Sequence, residues 1–248
     1  MATLIRRNPW LTAKPSATAT ARVFLIPYAG CGAGLYRNWP ARHAAVDLVP
    51  VELPGRETRI AEPVAATFEE LAAAMIEGLR PYLDVPFAFF GHCWSALAAY
   101  EATAQLQRAG GPRPAHLVVS SQVAPQDGPV GRMLGMTDPE MAEELTTTIQ
   151  ALGGQPHPEL VRLYTDVLRA DVEASRRYVV PEPLRLDCPI TAVGWTEDSE
   201  VPADRMAGWN ACGDTDFVLF AGRHHRFIDA PGELLRLLSA PLAAATAG

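Results

Sequence analysis

The stretch FFGHCWSALAAYE (89–101) constrains the fold of this chain more than any other. A short apolar strand, VPFAFF (85–90), runs straight into G-H-C-W-S, and a helical pattern begins at once. A strand that turns into a helix with no intervening loop is the corner that carries a nucleophile in a G-x-S-x-G turn, and the positions two residues to either side must be small. Gly91 and Ser95 are both small. Two letters depart from that turn: Cys93 stands at the serine position and Ser95 at the second glycine. The N-terminus of a helix favours negative charge through its free N–H groups and its dipole, which suits a thiolate. A free cysteine is more often an inert packing residue. The strand-to-helix context is what favours a nucleophile at this position.

Apolar runs alternate with helical patterns along the chain. RVFLIPYA (22–29) and VDLVPVEL (46–53) read as buried strands ended by the turns GCGAG and PGRETR. Thr67 and Glu70 form a T-x-x-E capping box, followed by Phe68, Leu71, Ala72, Met75, Ile76 and Leu79 at helical spacing. The helix after the elbow stops at Gly110–Gly111, and HLVVSS (116–121) is the next strand. The alternation resumes with ITAVGW (190–195), a helix near 203–212, the strand FVLFAG (217–222) and a last helix from about 230. Such alternation predicts an α/β fold, a mostly parallel sheet covered by helices on both faces. Residues 122–187 break the pattern with two helical stretches and no strand, as expected of a helical lid inserted into a single domain spanning 1–248. The alanine-rich tail APLAAATAG is expected to fray.

A nucleophile needs a base, and the base needs an orienting acid. In this architecture they follow in the order nucleophile, acid, histidine. Glu197 and Asp198 come just after a late strand, and His224 and His225 after the last one. The sequence has six histidines, so a pair beyond the final strand carries weight, although a solvated loop is the plainer role for one of them. An oxyanion hole requires backbone N–H groups aimed at the developing charge. One is expected from Trp94, after the nucleophile, and one from the turn PYAGCGAG, at Ala29. That turn lacks G-K-[ST] and G-x-G-x-x-G, which argues against a phosphate loop.

Together these blocks resemble the type II thioesterases of modular polyketide and nonribosomal peptide pathways. FLIPYAGCGAGLYRNW, VELPGRETR, GHCWSALAAYE, ALGGQP and FAGRHHRF are each similar to a block of that family, over nearly the whole chain. The resemblance implies an α/β-hydrolase fold with a helical lid, and acyl groups carried as thioesters on the phosphopantetheine of an acyl or peptidyl carrier protein. It implies a triad of Cys93, His224 and Asp198, with Ala29 and Trp94 as oxyanion donors. His225 stands where the family has an aromatic residue, Trp94 where it often has Met, and Cys31 where it has a glycine. Tyr28, Trp94, Arg56 and His225 are expected at the substrate site, with Arg56 and Arg59 as candidate contacts to the carrier or the phosphate of its arm. Hydrolysis is the usual task of the family. An acyl-cysteine, being itself a thioester, would also suit transfer to a thiol, an amine or an alcohol. A carrier-binding relic without catalysis and a small-molecule ester or lactone hydrolase are the alternatives.

A formal charge of −7 argues against nucleic acid as a partner. No apolar run is long enough to span a bilayer. Early on, the twin arginine of LIRRNPWL is followed by the polar TAKPSATATAR, which cannot be the apolar centre of a signal peptide. A cytoplasmic monomer is expected, with no cofactor of its own and no metal, since no C-x-x-C pair exists. Four thiols need not pair in that compartment.

Overall fold

The apolar runs form one seven-stranded sheet in the order β2-β3-β1-β4-β5-β6-β7. The computed structural model describes residues 8–151 and 153–245. The strands are β1 (Ala21–Ile26), β2 (Arg42–His43), β3 (Val46–Pro50), β4 (Phe87–His92), β5 (His116–Ser120), β6 (Ile190–Trp195) and β7 (Thr215–Phe220). Every pairing is parallel except that of the two-residue β2 with β3, which sequence periodicity did not signal. All residues of β1, β4, β5 and β6 are buried, as strands covered on both faces require. At the edge, β7 leaves Phe217 and Leu219 exposed.

The helices are α1 (Phe68–Leu79), α2 (Trp94–Arg108), α3 (Asp138–Ala151), α4 (Pro158–Arg177), α5 (Trp209–Cys212) and α6 (Gly232–Ala245). The Thr67 hydroxyl accepts the Glu70 N–H at 3.2 Å and caps α1. Glu70 reaches back to the N–H of Ala66 rather than to that of the cap itself. Beyond α2, Gly110 takes φ +61° and the Gly111 N–H returns to Leu106 O at 2.8 Å, the left-handed stop that a glycine allows. The single helix expected near 203–212 is instead a 3₁₀ turn (Ala203–Met206) and the four-residue α5, joined through Ala207 and Gly208 and closed at Gly213, whose backbone is extended. The tail does not fray at once: α6 continues to Ala245, and 246–248 lie outside the described residues. Among the described residues no helix is long and apolar enough to cross a membrane.

Between β5 and β6 the chain forms α3 and α4, which pack on one another and add no strand to the sheet. They also sit on the turn after β1. A Cβ added to Gly30 would lie 3.1 Å from Leu168 Cβ and 3.2 Å from Leu145 Cδ2. With φ +69°, Gly30 combines a left-handed conformation with a close approach that only glycine meets without strain. The insertion therefore bears directly on the loop expected to hold an oxyanion donor.

Candidate active site

At the end of β4 the chain turns through Cys93, whose φ of 51° and ψ of −123° lie outside the regions open to ordinary residues. Such a conformation costs on the order of 1–3 kcal/mol and persists only where its surroundings enforce it. The Cys93 N–H donates to Ser120 O at 2.8 Å, and its carbonyl accepts the Ala96 N–H at 2.9 Å. A Cβ on Gly91 would come within 2.2 Å of the Ser95 carbonyl oxygen, so the position admits only glycine. Ser95, by contrast, is accommodated. Its hydroxyl accepts the His92 N–H at 2.9 Å and donates toward Ile26 O or His92 O, each at 3.0 Å. The hydroxyl thus ties the corner to the end of β1.

Asp198 follows β6, and His224 opens the 3₁₀ turn after β7. One Asp198 oxygen accepts the N–H groups of Glu200 (2.9 Å) and Val201 (3.0 Å), and the other meets His224 Nδ1 at 2.9 Å. That bond assigns the imidazole proton to Nδ1 and leaves Nε2 free to work. Nε2 is buried and has no partner of full hydrogen-bond geometry among the described residues, although the Cys93 thiol is near enough to act on the imidazole. Burial works against a charge on His224, but the Asp198 hydrogen bond, the Cys93 thiol and Glu200 together outweigh it and push the imidazole up to about 10. Burial likewise opposes the Asp198 carboxylate, yet His224 and the Val201 N–H pull it down to about 2. The three residues that the chain order singled out are thus brought together.

Trp94 is the first residue of α2, so its N–H has no carbonyl a turn earlier to bond. Ala29 lies on the turn after β1, where the Cys31 N–H bonds Tyr28 O at 3.0 Å. Tyr28 is buried, with its hydroxyl 3.3 Å from His225 Nε2 and its ring edge-on to both His224 and His225. Burial, and then the charge of His224, lowers the pKa of His225. A cleft of about 700 Å³ opens beside the two histidines, lined by Glu200, Arg223, Arg226 and Asp229 among others.

Two expectations need correction. Arg56 and Arg59 do not face a carrier protein: they are 1 % and 7 % exposed. Arg56 is ion-paired with Asp171 of α4, and Arg59 bonds Glu52 O and Glu62 and lies over the Trp10 ring. The Trp94 side chain does not line an open pocket either. Its indole N–H donates to Asp171 O at 2.9 Å and its ring packs on Phe68.

Two neighbours of the triad went unread in the sequence. His92 is fully buried, stacked on Phe227 at 4.0 Å and 4.6 Å from the His224 ring, with Nδ1 on Ser120 Oγ. Burial and His224 hold its pKa well below the usual value, so it stays neutral. Its place on the strand just before the nucleophile was the available signal. Glu200, two residues past Asp198, brings a carboxylate oxygen to 3.9 Å from His224 Nε2, and Arg132 bridges it to Glu144 of α3. Glu200, His224 and His225 have ligand atoms within 4.8 Å of one another. Within this cluster Arg132 engages Glu200, and the Tyr28 hydroxyl meets His225 Nε2. All four cysteines are free thiols; burial pushes Cys31, on the turn after β1, up to about 12.

The thioesterase domain family matches residues 21–242. Linear gramicidin dehydrogenase LgrE of Brevibacillus parabrevis is 30% identical over 254 residues, which cover 97% of this chain and 95% of that protein. Among solved structures, the type II thioesterase BorB of the borrelidin biosynthetic cluster superposes with a TM-score of 0.81 at 28% identity, covering 94% of this chain and 97% of that one. The RedJ thioesterase from the prodiginine pathway of Streptomyces coelicolor superposes with a TM-score of 0.76 at 31% identity, covering 91% and 87%.

Proposed function

The chain belongs to the thioesterase-domain family and has the α/β-hydrolase fold, and from that premise we propose that it processes acyl groups carried as thioesters on acyl or peptidyl carrier proteins in polyketide or nonribosomal peptide biosynthesis, through a covalent acyl-Cys93 intermediate. The observation that carries this reading is His224, with Nδ1 on Asp198 and a buried Nε2 that lacks a partner of full hydrogen-bond geometry, beside a cysteine held at a strained strand-to-helix corner.

In the first step Cys93 Sγ bonds the thioester carbonyl carbon. The N–H groups of Ala29 and Trp94 receive the oxyanion. Collapse breaks the bond to the pantetheine sulfur, and the His224 imidazolium gives that sulfur a proton. In the second step an acceptor attacks acyl-Cys93, the Cys93 sulfur leaves, and His224 takes the acceptor's proton. With water as acceptor the product is the free acid. Because acyl-Cys93 is itself a thioester, loading is close to thermoneutral and the acyl group stays activated.

In the free protein the raised imidazole suits the acid that protonates the leaving pantetheine sulfur. Once that proton is given, His224 is the base for the second step. Transfer stands beside hydrolysis because acyl-Cys93 keeps the energy of a thioester. For docking, Arg223 and Arg226 at the cleft beside His224 replace Arg56 and Arg59 as our candidates for the carrier's phosphate.

Intact-mass spectrometry after mixing the protein with an acyl-carrier protein tests the reading. An adduct of one acyl group that disappears in Cys93→Ala is the expected result. No adduct, together with pathway output unchanged by Cys93→Ala, would leave the catalytic reading without support and favour a carrier-binding relic. Free acid released at the same rate with and without added thiol would sink the transfer branch.

A further inference from the structure

Asp171 lies on α4, within the insertion, and is 1 % exposed. Its carboxylate Oδ2 accepts the Gly30 N–H at 2.8 Å and the Arg56 guanidinium. Its backbone carbonyl accepts the Trp94 indole N–H at 2.9 Å. Arg56 also donates to Pro54 O and lies 5.8 Å over the Trp94 ring. One lid residue therefore grips two separate loops, the turn after β1 and the first residue of α2.

Those two loops carry the oxyanion donors in the reading above, on which this inference rests. The Ala29 N–H is clamped from both sides. Before it, Tyr28 O accepts the Cys31 N–H; after it, the Gly30 N–H is fixed on Asp171. Trp94 supplies the second donor from its backbone while its side chain is anchored on the same aspartate. Donors in an oxyanion hole act through placement, at about 2.7–3.1 Å from where the charge develops, and lose their worth when that distance slips. We infer that Asp171 is a positioning residue for the acyl-transfer step: seated on the sheet by Arg56, it sets both oxyanion donors, so that the hole is complete only while α4 is in place.

A merely structural Asp171 would affect every reaction of Cys93 alike; a positioning residue affects only those that form an oxyanion. Alkylation by iodoacetamide forms none, whereas acylation by an acyl-N-acetylcysteamine thioester does. Removing Arg56 alone strands a buried charge, so the informative variants replace both partners. Arg56→Met/Asp171→Asn keeps an acceptor for the Gly30 N–H, and Arg56→Met/Asp171→Leu removes it at similar volume. The leucine variant is expected to acylate about 10-fold more slowly than the asparagine variant, with alkylation rates within about 2-fold of each other. Trp94→Phe, which leaves the ion pair intact and deletes only the indole N–H, is expected to slow acylation several-fold and spare alkylation. Equal acylation in the leucine and asparagine pair, or in Trp94→Phe and wild type, overturns the inference. So does a fall in alkylation that matches the fall in acylation. A wild-type protein that alkylates but forms no acyl adduct overturns the acyl-Cys93 reading itself, a result separable from the others because no variant is needed to see it.

Discussion

Two buried ion pairs flank the same corner, and they are finished differently. Arg56–Asp171 is 1 % exposed at each side chain, and Asp171 turns both its carboxylate and its carbonyl onto protein donors. His224–Asp198 is as well buried, at 6 % and 0 %, and Asp198 is equally occupied; each pair leaves one buried nitrogen without a hydrogen-bond partner, Arg56 Nε and His224 Nε2, and of the two only the imidazole nitrogen can exchange its proton. An unsatisfied polar atom in a protein interior costs free energy and calls for an explanation. At His224 Nε2 the proposed chemistry supplies one, since there a proton would come and go; at Arg56 the guanidinium stays charged and lies over the Trp94 ring. The Arg56–Asp171 pair holds a geometry; the His224–Asp198 pair holds a geometry around a nitrogen that can titrate. Charge and burial are the same on the two sides, so neither distinguishes function from support.

The titratable nitrogen of His224 can be spoiled without touching burial. Asp198→Asn keeps the shape but stabilises the wrong imidazole tautomer, and thioester turnover is expected to fall by about 10⁴-fold, followed as release of free thiol. The opposite signature is expected at the other pair. Arg56→Met leaves Asp171 buried and unpaired, and urea unfolding should show a loss of about 3–5 kcal/mol, whereas Arg56→Met/Asp171→Leu should recover most of it. Turnover that fell as steeply in the double variant as in Asp198→Asn would merge the two regions into one catalytic unit.

How each region reads in the sequence follows from the same difference. The elbow is written locally: Gly91, Cys93 and Ser95 sit at fixed offsets, each set by a steric demand of one turn. Asp198 and His224 are distant, but the fold orders them after the last two strands, so the strand pattern located them. Asp171 had no such guide. It lies 77 residues beyond Trp94, on a helix of an insertion whose polar positions look alike until the helix is docked. Its partner Arg56 reads as a contact to the substrate or carrier because arginine is seldom fully buried, and nothing nearby in sequence shows a carboxylate arriving from α4. Likewise the stretch 203–212 reads as one helix because Met206, Trp209 and Cys212 are buried at three-residue spacing, which one helix and two short turns share.

A smaller effect separates the pairs by pH. His224 is raised in the folded state from about 6.5 to about 10. Its stabilisation is therefore complete below the unfolded value and fades as pH climbs through about 10. Asp198 is lowered to about 2, so its share is present above about 3.9 and fades as pH falls toward 2. A guanidinium keeps its proton throughout the alkaline range, so the lid pair has no such limb. Unfolding free energies at pH 5.5 and 9.5 are expected to show wild type losing its advantage over His224→Gln at the higher pH. A difference that stayed constant would place the stabilising partner of Asp198 elsewhere.

The mildest test falls on Ser95, which belongs to neither pair and links both neighbourhoods. Its hydroxyl joins the end of β4 to the end of β1 through His92 N–H and Ile26 O, all neutral groups. A neutral hydrogen bond contributes about 1 kcal/mol net, less than a bond to a charge, so Ser95→Ala should lower unfolding stability by about 1–2 kcal/mol. The methyl group still fits where the hydroxymethyl sat, so Cys93 should keep its strained corner and its alkylation rate. Acylation is the quantity to watch. Ile26 precedes the turn that carries Ala29, and a hydroxyl fixed to its carbonyl sets where that turn begins. If acylation falls while alkylation holds, Ser95 joins Asp171 as a second anchor of the oxyanion donors, reached from the sheet rather than from the lid. If both rates hold, the serine at this corner is a stabilising substitution that the elbow tolerates because the neighbour needing space, Gly91, stayed small.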